Sequence, residues 1–314
     1  MIKIGVVNID TSHPLSFSKI LGAGGRAQYT AIFNDGFRED DEIEGFMKTV
    51  GIKHRLASID EMADLVDIGF LHGCNWDKRI DQAMPFIRRG KPVFIDKPVA
   101  GSLADCDRLE KLAAEGAVIL GSSSVRYADE IVEYMAKPAS ERGDVIHAYG
   151  TAGVDEFSYA VHIVEALSAI LGMGAESCMY CGKAGAGENI METYYVTYEN
   201  GCGATYTTCS GTWQPFELVM MTSQTTCSFR IDTNHIYKAL LDRICDYMET
   251  GLNKLAPVSE LVESVKIMLA GKVSRDNGGK RIKLSELHDH MPGFDGDAYE
   301  AEYSRAASKI YLSD

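Results

Sequence analysis

Along the first 120 residues, short β-branched runs alternate with segments of helical periodicity, the pattern of βαβ units that build a parallel sheet. Ile2–Val7 predicts the first strand, Leu15–Leu21 a helix and Tyr29–Phe33 a second strand. Ile59–Leu65 predicts a short helix that leads into a strand over Asp67–Leu71. Ile80, Ala83, Met84 and Ile87 recur at helical spacing up to Arg89, Gly90 closes the segment, and Pro92–Ile95 predicts the next strand. Ser102 to Asp105 reads as a capping box with Asp in the Glu/Gln place, opening a helix to Ala114 ahead of a strand at Val118–Leu120. Sheets wound in this way bind ligands outside the carboxyl ends of their strands. The loops after Val7, Phe33, Leu71 and Ile95 are therefore expected to line one crevice.

Beyond about Ser124 the pattern changes, which divides the chain into residues 1–123 and 124–314. A helix over Tyr127–Met135, a strand over Val145–Tyr149 and a helix over Phe157–Leu171 come first. From Ser177 to Ile231 the text becomes antiparallel, with Glu192–Tyr198 and Ala204–Thr208 on either side of Asn200-Gly201, a strong hairpin signal. Helices over Ile236–Glu249 and Val258–Ala270, a strand at Arg281–Leu284 and a last helix near Tyr299–Tyr311 complete the reading. The expected fold class is α/β: a Rossmann-type doubly wound parallel sheet, then an α/β domain with an open, largely antiparallel sheet.

Composition narrows the function. With 31 Lys+Arg against 45 Asp+Glu the formal net charge is −14, so the field of the molecule repels a polyanion and nucleic acid is not an expected partner. No apolar run approaches the roughly 18 residues of a membrane span, and the amino terminus lacks the features of a signal peptide. A cytoplasmic location is expected. Eight cysteines scattered over 314 residues read as reduced, mostly buried thiols rather than a disulfide framework. Cys178 and Cys181 have CxxC spacing without a second pair, and His288 and His290 fall in a loop-like segment. No metal site is expected from either.

Two segments carry chemistry. Asp96-Lys97-Pro98 places an acid and a lysine at the end of a buried strand, where an ammonium can donate to a developing alkoxide. The alternative is a surface lysine paired with Asp96. Tyr159, His162 and Glu165 share one helical face, and histidine is the side chain best suited to pass a proton near neutral pH. A purely structural histidine is the alternative there.

Taken in order, these segments resemble the Gfo/Idh/MocA family of NAD(P)-dependent sugar and cyclitol oxidoreductases, over nearly the whole chain. The family's Glu-Lys-Pro motif corresponds to Asp96-Lys97-Pro98 after Gly90-Lys91-Pro92-Val93, and its histidine motif falls on His162. Pro257-Val258-Ser259 and Gly279–Leu284 are similar to its closing helix and strand. The resemblance implies that Lys97 and His162 handle the proton of the reacting hydroxyl, with Tyr159 as a third candidate catalytic group. It also implies Arg126 and Glu165 beside the substrate, and a homodimer or homotetramer formed through the second sheet.

The first βα turn departs from the family. Asn8-Ile9-Asp10-Thr11-Ser12-His13 stands where a dinucleotide site has Gly-x-Gly-x-x-Gly. Helix capping by Asp10, Thr11 or Ser12 is the plainer reading of this stretch. By resemblance, Asn8, Asp10, Thr11, Ser12, His13, Asp35, Asn75, Asp96 and Lys97 are the expected cofactor contacts, Asp35 on the ribose, with NAD in preference to NADP. Ser158 replaces a family aspartate, with Asp155, Glu156 and Tyr159 as substitutes, while Arg79 and Arg126 are expected to make the crevice locally positive. Three functions remain open: a dehydrogenase of a sugar, sugar acid or cyclitol; an epimerase, lyase or glycosidase working by transient oxidation; and a degenerate, non-redox sugar binder.

Overall fold

Six parallel strands form the first sheet: Ile2–Val7 (β1), Ala27–Phe33 (β2), His54–Arg55 (β3), Ile68–Leu71 (β4), Val93–Ile95 (β5) and Ile119–Gly121 (β6), in the order β3-β2-β1-β4-β5-β6. The computed structural model describes residues 1–187 and 189–307. His13–Gly24 (α1), Asp40–Val50 (α2), Ile59–Leu65 (α3), Arg79–Ile87 (α4) and Leu103–Ala114 (α5) connect the strands. Strand alternation explains why both faces need cover. Ile4, Val6, Ile68 and Phe70 join a core with Phe17 and Phe46 from α1 and α2, whereas Val7, Leu71 and Ile95 join a core with Met62, Phe86 and Leu109 from α3 to α5. Strand order reverses between β1 and β4, which opens the ligand crevice at their carboxyl ends.

The sequence reading overlooked α2, although Ile43, Phe46, Met47 and Val50 have helical spacing. Gly45 and four acids in the first five helical positions had masked that period. A reciprocal cap between Glu39 and Glu42 starts the helix.

The second sheet has seven strands: Val145–Val154 (β7), Ala175–Ala186 (β8), Asn189–Tyr198 (β9), Gly203–Ser210 (β10), Glu217–Thr222 (β11), Thr226–Arg230 (β12) and Ile282–Lys283 (β13). Their order is β12-β11-β7-β10-β9-β8-β13, antiparallel except for the parallel pair β7 and β10. Asp129–Met135 (α6) and Ala139–Arg142 (α7) precede β7, and Ala160–Leu171 (α8) packs on the sheet with Val258–Asp276 (α10). Helix α8 begins later than the periodicity suggests because Asp155 accepts the amides of Phe157 and Tyr159 and holds them in a turn.

Two helices return to the first sheet. Ile236–Thr250 (α9) packs its Leu240, Leu241 and Ile244 beside Phe17 and Leu21 of α1. Gly296–Ala306 (α11) lies beside the loop after β4, where Asn75 and Lys78 bond its acidic side chains. The last predicted helix therefore starts three residues earlier than Tyr299, where Asp295 caps the Ala298 amide. Residues 308–311 of that prediction lie outside the described residues. Among the described residues no helix is long and apolar enough to cross a membrane.

Candidate active site

A cavity of about 290 Å3 opens where β5, the first βα turn and the start of α8 meet, with Lys97, His13 and His162 in its wall. Asp96, at the end of β5, accepts from two imidazoles: His13 Nδ1 at 2.7 Å and His72 Nδ1 at 2.9 Å, both on Oδ2. Its Oδ1 takes the Lys97 amide at 2.8 Å. Burial pushes the Asp96 carboxyl up, but the two histidines more than reverse this and hold it well below the usual carboxylate range. His72 is fully buried, which lowers its pKa, and its Nε2 meets the Tyr29 hydroxyl at 3.2 Å.

Lys97 Nζ donates to the Ser158 carbonyl at 2.8 Å and stands 5.2 Å from the centre of the Tyr159 ring. Burial lowers its pKa, opposed by Asp96 and Asp155. Ser158, in place of the family aspartate, relays to a carboxylate: its hydroxyl donates to Asp155 Oδ2 at 2.7 Å and also meets the Tyr299 hydroxyl of α11. His162 Nδ1 lies 2.6 Å from Ser123 Oγ, and burial together with nearby Lys97 holds the imidazole well below its ordinary pKa. At neutral pH the ring is uncharged. Tyr159 is walled in against Phe216, and burial raises its phenol pKa.

The turn after β1 keeps its shape without glycine. Asn8 adopts a φ of 65°, the left-handed conformation that asparagine tolerates better than most residues. Its side-chain oxygen accepts the Asp35 and Gly36 amides, and its Nδ2 donates to Asp35 Oδ1. Asp10, at the second fingerprint position, is wholly buried and reaches across to the Cys74 amide at 2.9 Å, while Arg38 holds its carbonyl. Its Oδ1 has no hydrogen-bond partner among the described residues and fills the space that a Cβ at Gly36 would need.

The residues fit a dinucleotide at one end only. Thr11 and Ser12 line the cavity beside Lys97, which suits a nicotinamide end. At the pyrophosphate position Asp10 replaces close backbone approach with a carboxylate, it occupies the Cys74 amide, and Pro14 removes a donor from the start of α1. Burial pushes the Asp10 carboxyl up to about 6. A raised carboxyl binds its proton more tightly folded than unfolded, so its ionisation destabilises the fold between the ordinary value of 3.8 and about 6. Asp10→Asn is therefore expected to gain stability over the parent by up to about 3 kcal/mol as the pH rises from about 4 to about 7.5. Denaturant midpoints at the two pH values test this, and an offset that does not change with pH refutes it.

Several expected contacts are corrected. Arg126 is buried at the domain junction on Glu260 (2.8 Å) and near Glu165 (3.7 Å), away from the cavity wall. Glu165 accepts the Ser122 hydroxyl and the Ser123 amide, anchors that loop and does not line the cavity. Asn75 is taken up by Asp297 and Glu300, and Asn8 ties two loops together. Asp35 stands at the end of β2 as expected, with Oδ1 held by Asn8 and Gln82. Arg79 reaches the cavity but donates to the Gly73, Asp96 and Pro98 carbonyls. His288, Asp289 and His290 are exposed, and all eight cysteines are free.

Sequence reasoning missed His72 and the α11 residues Tyr299 and Tyr303, which also wall the cavity. The available signal was two tyrosines four residues apart on a polar helix, a spacing that asks for an apolar partner. Trp213 and Tyr237 lie in the wall as well, with the Tyr237 ring 5.2 Å from His13.

Residues 4–123 match the model of the Gfo/Idh/MocA family, an oxidoreductase family with an NAD-binding Rossmann fold. No curated protein matches the chain. Among solved structures, a probable dehydrogenase from Thermotoga maritima aligns with a TM-score of 0.78 at 13% identity over 91% of this chain and 100% of that one. A putative myo-inositol dehydrogenase from Sinorhizobium meliloti aligns at 0.77 and 12% identity, over 90% of this chain and 100% of that one. Scyllo-inositol dehydrogenase from Lactobacillus casei, solved with NAD(H) and scyllo-inositol, aligns at 0.76 and 12% identity over 91% and 99%. At these identities the likeness is one of fold.

Proposed function

We propose, from the match of residues 4–123 to the Gfo/Idh/MocA oxidoreductases, that this chain is an NAD-dependent dehydrogenase of a sugar, sugar acid or cyclitol hydroxyl. The observation that carries the reading is the Lys97 ammonium at a small polar cavity that also presents a neutral His162 and the Asp96-bound His13. A cavity of about 290 Å3 is at the small end of ligand sites, which suits one hydroxyl-rich ring. Bound NAD would supply the hydride acceptor, with Thr11 and Ser12 beside its nicotinamide end and Asp35, at the end of β2, facing its adenosine ribose. A carboxylate at Asp35 would repel a 2′-phosphate, which favours NAD over NADP.

Lys97 orients the reacting oxygen and stabilises its developing negative charge. His162 accepts the hydroxyl proton, its ring held by Ser123 on Nδ1. Asp96 fixes the His13 ring by the same kind of contact, leaving Nε2 for a ligand and making His13 a second proton carrier. His162→Gln is expected to lower kcat about 10²-fold and His13→Gln about tenfold. A His13→Gln variant with the parent's kcat and a lowered denaturation midpoint would reassign His13 to a structural role.

The test of the function is a panel of cyclitols, sugars and sugar acids incubated with NAD⁺ and followed by nicotinamide absorbance. Reduction with at least one polyol is expected. A folded protein that binds a polyol yet reduces no NAD⁺ supports the second reading, a non-redox binder, which Asp10 at the pyrophosphate position favours.

A further inference from the structure

The space that a dinucleotide's adenosine half needs is taken by the chain itself. Phe294 stacks on Phe157 with ring centres 3.9 Å apart, and its carbonyl accepts the Trp76 indole N–H at 2.7 Å. The Gly296 amide donates to Asp77, and from there α11 crosses the loops after β1, β2 and β4. Asn75 Nδ2 donates to Asp297 and Glu300 at 2.7 and 3.0 Å, and Lys78 Nζ to Glu300 at 2.9 Å. Tyr303 meets Phe37 just past β2, at 6.0 Å between ring centres. One carboxylate oxygen of Glu300, one of Asp10 and the Cys74 sulfur lie within 4.8 Å of one another.

A dinucleotide in this fold sets its pyrophosphate on the first βα turn and a ribose at the end of β2. Glu300 and Tyr303 occupy that path, and two carboxylates there oppose a pyrophosphate. The cover is nevertheless lightly held. Gly296 is the one fully buried residue of α11, and the remaining contacts are polar or half-buried aromatic. An element with so little buried apolar surface is one that opens at low cost.

We propose that α11 is a cover over the adenosine half of the dinucleotide groove and lifts before NAD(H) binds. This rests on the reading of the chain as an NAD-dependent oxidoreductase. Covered and open forms are then in equilibrium, and apparent affinity falls by the open fraction. Because Tyr299 and Tyr303 also wall the polyol cavity, lifting α11 opens both compartments together.

The experiment is a calorimetric titration of NADH into three proteins whose folding is checked by circular dichroism. These are the full chain, a deletion of residues 296–314, and the double variant Glu300→Ala with Tyr303→Ala, which loosens the cover should the deletion fail to fold. Binding to the loosened proteins is expected to be at least about tenfold tighter than to the full chain. In the full chain, NADH is expected to speed hydrogen exchange of the 296–306 amides while it protects those of 8–13. Equal affinities with unchanged 296–306 exchange overturn the cover and leave the NAD reading standing. Folded loosened proteins that bind no NADH overturn the NAD reading and the cover with it, and make α11 a permanent wall.

Discussion

Lys97→Ala is expected to lower kcat at least about 10²-fold with little change in KM, once a turned-over polyol is identified. The physical argument begins with charge. Of the two cations in the cavity wall, Arg79 spends its donors on the Gly73, Asp96 and Pro98 carbonyls. Among the described residues Lys97 donates to one protein acceptor, the Ser158 carbonyl, which leaves ammonium hydrogens for a ligand oxygen. Removing it deletes stabilisation of an alkoxide that exists only along the reaction, so kcat and kcat/KM fall together. Activity within a few-fold of the parent would refute the assignment, and a rise in KM alone would make Lys97 a binding residue.

Arg79→Met is expected to cost at least about 3 kcal/mol of stability. The guanidinium is buried and, among the described residues, no carboxylate stands at ion-pair distance from it. It works as a bracket that holds the loop after β4, through the Gly73 carbonyl, to the loop after β5, through those of Asp96 and Pro98. Burial lowers its pKa, opposed by the charge of nearby Asp96, and the carbonyl acceptors satisfy the buried donors. Methionine keeps most of the volume but leaves three buried carbonyls without their donor, each worth about 1–3 kcal/mol. An urea midpoint matching that of the parent would refute the bracket. A stable variant with lost activity would instead show that Arg79 orders the site without holding the fold.

Much of the fold was legible in the chain. Alternating β-branched runs and helical periods from Ile2 to Leu120 specify a parallel sheet covered on both faces, because a strand buried on both sides and a helix buried on one leave different repeats. The same logic located Lys97 at a strand end and placed His162 and Glu165 on one helix face, where both reach the 122–123 loop. Identity at a position proved less informative than its partner. Glu165 and Arg126 look like substrate ligands until each is found near the other, and Asp96 becomes a hub only when His13, 83 residues away in sequence, comes within 2.7 Å.

Local periodicity and turn chemistry, which depend on neighbours within a few residues, determined the elements, the parallel sheet and the position of Lys97. The tertiary structure decided what meets at the crevice. Packing brings α9 back onto α1, sets α11 across the first βα turn and buries Asp10 beneath it. Those contacts join residues more than 200 positions apart in sequence, and they arise from burial and hydrogen-bond satisfaction in three dimensions, which leave no period in the chain.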